Sequence, residues 1–66
     1  MTKERVIAFL ETTGMTRACF ARKCELSEAM LHFYVHGERK LSERSEKRIN
    51  DFMDNYIDRV AKLARV

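Results

Sequence analysis

Apolar residues recur along this chain at helical rather than strand intervals. Val6, Ile7, Phe9 and Leu10 make a stripe wide enough to face a core, and predict a first helix from about Lys3 to Thr13. Thr2 is its expected N-cap and Gly14 its C-terminal stop. Thr16 is placed to cap a second helix over roughly Arg17 to Cys24, and Ser27 a third that ends near His36 and Gly37. Ser42 is placed to cap a fourth, from Glu43 to Arg65, with no glycine or proline inside it. At the rise of an α-helix it would reach about 35 Å. Ile49, Met53, Tyr56, Val60 and Leu63 are spaced 4, 3, 4, 3 within it, a heptad seam flanked by Phe52, Ile57 and Ala64. Glu43 to Lys47 and Asp58 to Lys62 have the favourable i to i+4 order, and Lys62 and Arg65 fall in the last turn, where the helix dipole favours cations. There is no proline, repeat or low-complexity tract to divide the chain, so residues 1–66 are expected to form one all-α domain.

Size and charge sharpen this picture. A domain of 66 residues buries only about 60% of its unfolded surface, so a partner subunit is a natural source of added stability. The net charge of +3 is unevenly spread: residues 1–24 carry +3, residues 25–38 carry −3, residues 39–48 carry +3, and the remainder cancels. Two basic blocks thus flank a mildly acidic segment. Cys19 and Cys24 share a predicted helix, where five positions turn through about 500°, so their side chains diverge and no disulfide is expected between them. With no signal-peptide pattern and no apolar run long enough for a membrane span, a reducing, cytoplasmic setting is expected.

Residues 20–41, FARKCELSEAMLHFYVHGERKL, carry the only constellation that points to a chemistry. Ala21 is small where two helices must cross, Leu26 anchors a turn, and Ser27 offers a hydroxyl to the free N–H groups of the third helix. Leu31 and Tyr34 face inward and fix that helix's rotation, and Gly37 ends it. Glu28, Ala29, His32, Phe33 and His36 are left on the outer face.

At Ala21, Leu26, Ser27, Leu31 and Gly37, and in the GERK of residues 37–40, the chain resembles the Cro/repressor-type helix-turn-helix regulators of phages and bacteria, the XRE family. The resemblance covers about residues 3–53 in helix order. It implies a small, lambda-repressor-like helix-turn-helix bundle, here with a long C-terminal helix, whose helix-turn-helix spans about residues 16–37. Glu25 stands where the family places a turn glycine, which predicts a left-handed glutamate at a cost on the order of 1 kcal/mol. The family also breaks its C-terminal part into two helices, whereas this chain offers only Asn50 and Asn55 as interruptions.

The resemblance implies a sequence-specific transcriptional regulator, a repressor by expectation, that binds double-stranded DNA as a homodimer. Ser27, Glu28, Ala29, His32 and Phe33 would face base edges in the major groove, and Arg17, Arg22, Lys23, Arg39 and Lys40 would neutralise phosphates. Tyr56, Val60 and Leu63 would extend past the core and pair with a second subunit. No cofactor, small-molecule ligand or membrane is implied. The order Cys-x4-Cys-x7-His-x3-His of Cys19, Cys24, His32 and His36 is too short between its pairs for a zinc finger, so no metal is expected. No phosphate loop, nucleophile elbow or metalloprotease pattern is present, so no enzyme is expected. Because no Lys or Arg lies between residues 24 and 38, a second reading stays open: a helix-turn-helix module that no longer binds DNA and docks a protein, or an antitoxin that binds both.

Overall fold

A computed structural model describes residues 2–64 of the chain. The described residues form an all-α bundle of four helices: α1 (Thr2–Thr13), α2 (Arg17–Lys23), α3 (Glu28–Val35) and α4 (Glu43–Leu63). Each of the first three ends on a residue in the left-handed region. Gly14 (φ 72°) closes α1 by donating its N–H to Leu10 O at 2.9 Å. Gly37 (φ 76°) closes α3, with its own N–H on Tyr34 O at 3.1 Å and that of Glu38 on Phe33 O at 2.9 Å. At the end of α2 the same geometry falls to Glu25 (φ 60°): its N–H reaches Arg22 O at 3.3 Å, and that of Leu26 reaches Ala21 O at 2.8 Å. These bonds satisfy carbonyls that a helix end would otherwise orphan. The left-handed glutamate expected from the sequence is therefore present, and its carboxylate meets Arg48 of α4 at 3.2 Å.

Thr16, Ser27 and Ser42 cap α2, α3 and α4 as their spacing predicts. Their hydroxyl oxygens accept the N–H groups of Cys19 (3.1 Å), Met30 (3.1 Å) and Ser45 (3.2 Å). Thr2 departs from expectation, because it lies inside the first helical turn and its hydroxyl accepts a long bond from Asn50 Nδ2 at 3.4 Å. Cys24 also departs, as the C-cap of α2 rather than its last helical residue. Both cysteines are free thiols, Cys24 buried and Cys19 half-buried.

The core is built from all four helices: Val6 and Phe9, Phe20 and Ala21 with Cys24, Leu31 with Tyr34 and Val35, and Ile49 with Met53. Rings of Phe9, Phe20, Phe52 and Tyr56 pack at centroid separations of 5.2 to 6.2 Å, mostly tilted or edge-on, the favourable arrangement for aromatic quadrupoles. Ile7 does not join them. It remains 37% exposed, because α1 turns only part of its apolar stripe inward.

The fourth helix runs unbroken through Asn50 and Asn55. Asn50 is no interruption, since its amide donates to Glu46 O at 3.0 Å and its Oδ1 accepts Arg5 Nη1 at 2.9 Å, tying α4 to α1. Arg5 also pairs with Asp54. Lys62 reaches Asp58 as expected (3.1 Å), but Lys47 turns forward to Asp51 (3.1 Å) rather than back to Glu43. Glu43 stays in the first turn at the positive end of the helix dipole. Arg65, also expected in the final turn, lies outside the described residues.

Two predictions follow from this packing. Glu25→Gly and Glu25→Ala both lose the exposed pair with Arg48, but only glycine relieves the left-handed backbone. Urea unfolding should find the glycine variant more stable than the alanine variant by about 1 kcal/mol; equal stabilities would contradict the strain. The second concerns alkali. Burial pushes the Cys24 thiol from its ordinary 9.0 up to about 11. Burial, and then the hydrogen bond to the Glu46 carboxylate, raise the Tyr34 hydroxyl above its ordinary 10.0. Between these limits the native state holds protons that the unfolded chain releases, so stability is intact below pH 9 and lost as pH climbs toward 11. Unfolding free energy should decline over that window, and Cys24→Ala should flatten its lower half; an unchanged profile in that variant would contradict the assignment.

Candidate functional site

The turn between α2 and α3 decides which way α3 faces. Leu26 folds back over Ala21, which is 1% exposed and leaves room for α3 to approach α2 closely. Leu31, Tyr34 and Val35 are buried, and Leu31 is fully so. The Tyr34 hydroxyl then donates to Glu46 Oε2 at 2.8 Å, locking the end of α3 to the start of α4. With that side committed, the helical repeat leaves Glu28, Ala29, His32, Phe33 and His36 exposed together on the outer face.

Within that face the side chains are partly ordered by one another. His36 Nδ1 lies 2.8 Å from His32 O. The two imidazoles sit 4.1 Å apart between centroids, and His32 meets Phe33 edge-on at 5.5 Å. Phe33 is 41% exposed, a large ring left without a core partner. Ser27 Oγ accepts the Met30 N–H in the cap, which leaves its hydroxyl proton and one lone pair for a ligand. His32 and His36 are exposed while Cys24 lies in the core, and no group of three or more metal-capable side chains gathers among the described residues.

The five cations expected at phosphates are uncommitted. Among the described residues Arg5, Lys47, Arg48 and Lys62 are held in ion pairs, whereas Arg17, Arg22, Lys23, Arg39 and Lys40 are exposed and enter none. Arg17 opens α2, and Arg22 with Lys23 ends it. Arg39 is pinned by its own N–H to Phe33 O at 3.2 Å, which holds the loop after α3 beside the end of that helix.

One cation escapes sequence reasoning as a member of this set. Lys3 reaches the end of α3, where its Nζ lies 3.4 Å from the position a Cβ on Gly37 would occupy. It shares a cleft of about 340 Å³ with Tyr34, Gly37, Arg39, Lys40 and Glu46. Its place in the basic N-terminal block is visible in sequence, but its neighbours lie more than thirty positions away.

Tyr56, Val60 and Leu63 divide along α4. Tyr56 is half-buried against Phe9, at 5.2 Å between ring centroids, while Val60 and Leu63 remain 49% and 71% exposed. No described helix is long and apolar enough to cross a membrane. Compared with protein-family models, with curated proteins and with solved structures, the chain matches none.

The capping of α3 is directly testable. Ser27→Ala should cost about 1 kcal/mol of stability in urea unfolding, and Ser27→Asp should recover most of it. An unaffected alanine variant would mean that the cap does not support the helix.

Proposed function

We propose that this protein is a transcriptional regulator, a repressor by its mode of action, that binds duplex DNA through the helix-turn-helix formed by α2, the Glu25 turn and α3. The proposal extends the resemblance to the Cro/repressor-type, XRE-family regulators. The observation that carries it is a combination: an outer face of α3 with no role in the core, and five exposed cations on α2 and in the loop after α3 that enter no ion pair among the described residues. Cations held this way lose little by exchanging water for phosphate, and counterion release drives the exchange.

In this reading α3 enters the major groove, and the contacts divide by type. Arg17, Arg22, Lys23, Arg39 and Lys40, joined by Lys3, bind phosphates and set the register. Glu28 accepts from a cytosine amino group, Ala29 touches a thymine methyl, and His32 donates to a guanine edge. Phe33 lies against methyl groups or sugar, and the Ser27 hydroxyl proton serves an acceptor at the groove edge. A homodimer would present two such helices about 34 Å apart on a palindromic operator, and occupancy would block transcription sterically. The expected setting is the cytoplasm.

One observation favours a second reading. The outer face of α3 holds Glu28 and an exposed Phe33 and no Lys or Arg, a composition that also suits a protein groove. In that case the helix-turn-helix would be a docking module or the partner-binding part of an antitoxin.

Fluorescence anisotropy on mixed-sequence duplex across a salt series separates the two. Six phosphate contacts per protomer predict a slope of roughly −5 per protomer in log K against log salt. The Arg39→Ala, Lys40→Ala double variant should lower that slope by about 2 and weaken all sequences alike. His32→Ala should shift the preferred sequence and leave the slope unchanged. Absence of binding at low salt would overturn the regulator reading in favour of the docking module.

A further inference from the structure

His32 and His36 stand four positions apart on the outer face of α3, only about 40° from each other around the helix. Side chains in that register have Cβ atoms about 5–6 Å apart. Here both residues are exposed, and their imidazoles face each other at 4.1 Å between centroids, inclined by 37°. The base contacts proposed above use His32 alone and leave this pairing unexplained.

The backbone fixes the tautomer of one ring. His36 Nδ1 lies 2.8 Å from His32 O, and a carbonyl only accepts, so Nδ1 carries the hydrogen and Nε2 keeps a free lone pair. A second ring nitrogen donating to a backbone carbonyl is how proteins orient imidazoles that ligate metals. The His32 ring enters no hydrogen bond among the described residues. Beside His36 it meets Phe33 edge-on at 5.5 Å, a contact that leaves it free to turn. Two imidazole nitrogens in neighbouring positions on one metal, each at about 2.1 Å, stand about 3 Å apart. Facing rings at this separation reach that span by rotation of an exposed side chain.

We propose that His32 and His36 chelate a divalent transition metal of the zinc, nickel and copper class. Imidazole suits these ions, whereas magnesium and calcium require oxygen ligands. The surrounding charge agrees. The pair closes α3, with His36 as its C-cap, at the end where the helix dipole favours a cation. Glu28 lies one turn before His32 on the same face. Lys3, Arg39 and Lys40 line the cleft beside Tyr34, a residue that the helical repeat sets on the opposite side of α3. No third metal-capable side chain joins the two histidines among the described residues, so water fills the remaining positions and the ion exchanges freely. The short Cys-x4-Cys-x7-His-x3-His order excludes a finger but not this site, because the cysteines take no part in it and Cys24 is in the core. Occupancy would also withdraw His32 from a base edge and so change the preferred sequence; that consequence alone rests on the DNA-binding reading.

Zinc titration of the whole chain in a Cys19→Ser background, followed by calorimetry and by NMR of the imidazole protons, tests the chelate. One equivalent should bind, with the largest shifts at His32 and His36. His32→Gln and His36→Gln should each lower the affinity at least tenfold with helical content unchanged, and millimolar magnesium should not displace the zinc. Shifts centred elsewhere, no saturable binding, or single variants that only halve the stoichiometry at unchanged affinity would overturn the site. Selection from random duplex with and without zinc tests the consequence: the preferred sequence should move in the parent and stay fixed in His36→Gln. An unmoved preference with zinc bound overturns the link between metal and reading. A chain that binds zinc but no DNA overturns the DNA-binding reading and leaves the metal site standing.

Discussion

The rotation of α3 about its own axis is the constraint on which the rest of this molecule depends. Eight residues of helix have little intrinsic stability, so α3 exists by virtue of what holds it. Leu31, Tyr34 and Val35 are sunk in the core, the Tyr34 hydroxyl is bound to Glu46, and Ser27 satisfies the N-terminal N–H groups. The Glu25 turn sets the angle at which the helix departs from α2. Together these leave one permissible outer face. Were the helix rotated by a single residue, Tyr34 would leave Glu46, and Phe33, now outside, would have to enter the core.

The turn that sets this angle carries strain. A left-handed glutamate costs more than a glycine would, and its exposed pair with Arg48 returns at most about 1 kcal/mol. What glutamate adds is a bridge: its carboxylate links the α2–α3 turn to α4, so the helix-turn-helix and the long helix are tied at two points, Glu25 to Arg48 and Tyr34 to Glu46. The long helix therefore serves two environments. Its first half, through Ile49 and Met53, completes the core, and its second half carries an apolar face outward.

Much of this was legible in the sequence because it is local. The four helices, the three hydroxyl caps and the glycine stops follow from residues within one or two turns of each other, whereas the left-handed Glu25 follows only from the resemblance. The inward set of α3 follows from its spacing, which is why Glu28, Ala29, His32 and Phe33 were placed outside. What was not legible is tertiary. Nothing near Lys3 in the sequence shows that it ends beside Gly37 and Arg39, and nothing near Tyr34 shows that its hydroxyl finds Glu46. The exposure of Ile7 depends on how far α1 rolls against its neighbours, and the service of Asn50 to α1 depends on Arg5 lying opposite. The heptad seam was visible, but its division into a buried and an exposed half required knowing where α1 stops.

The central claim is that the outer face of α3 and the uncommitted cations of α2 and the loop after α3 form a DNA-binding surface. Amide chemical-shift mapping with a short duplex at low salt tests it most directly, because it reports where on the protein the ligand lies. The account predicts the largest shifts at residues 16–19, 27–33 and 37–40, with the amides from Ile57 to Leu63 little changed. Shifts centred on the end of α4, or none at all, would contradict it.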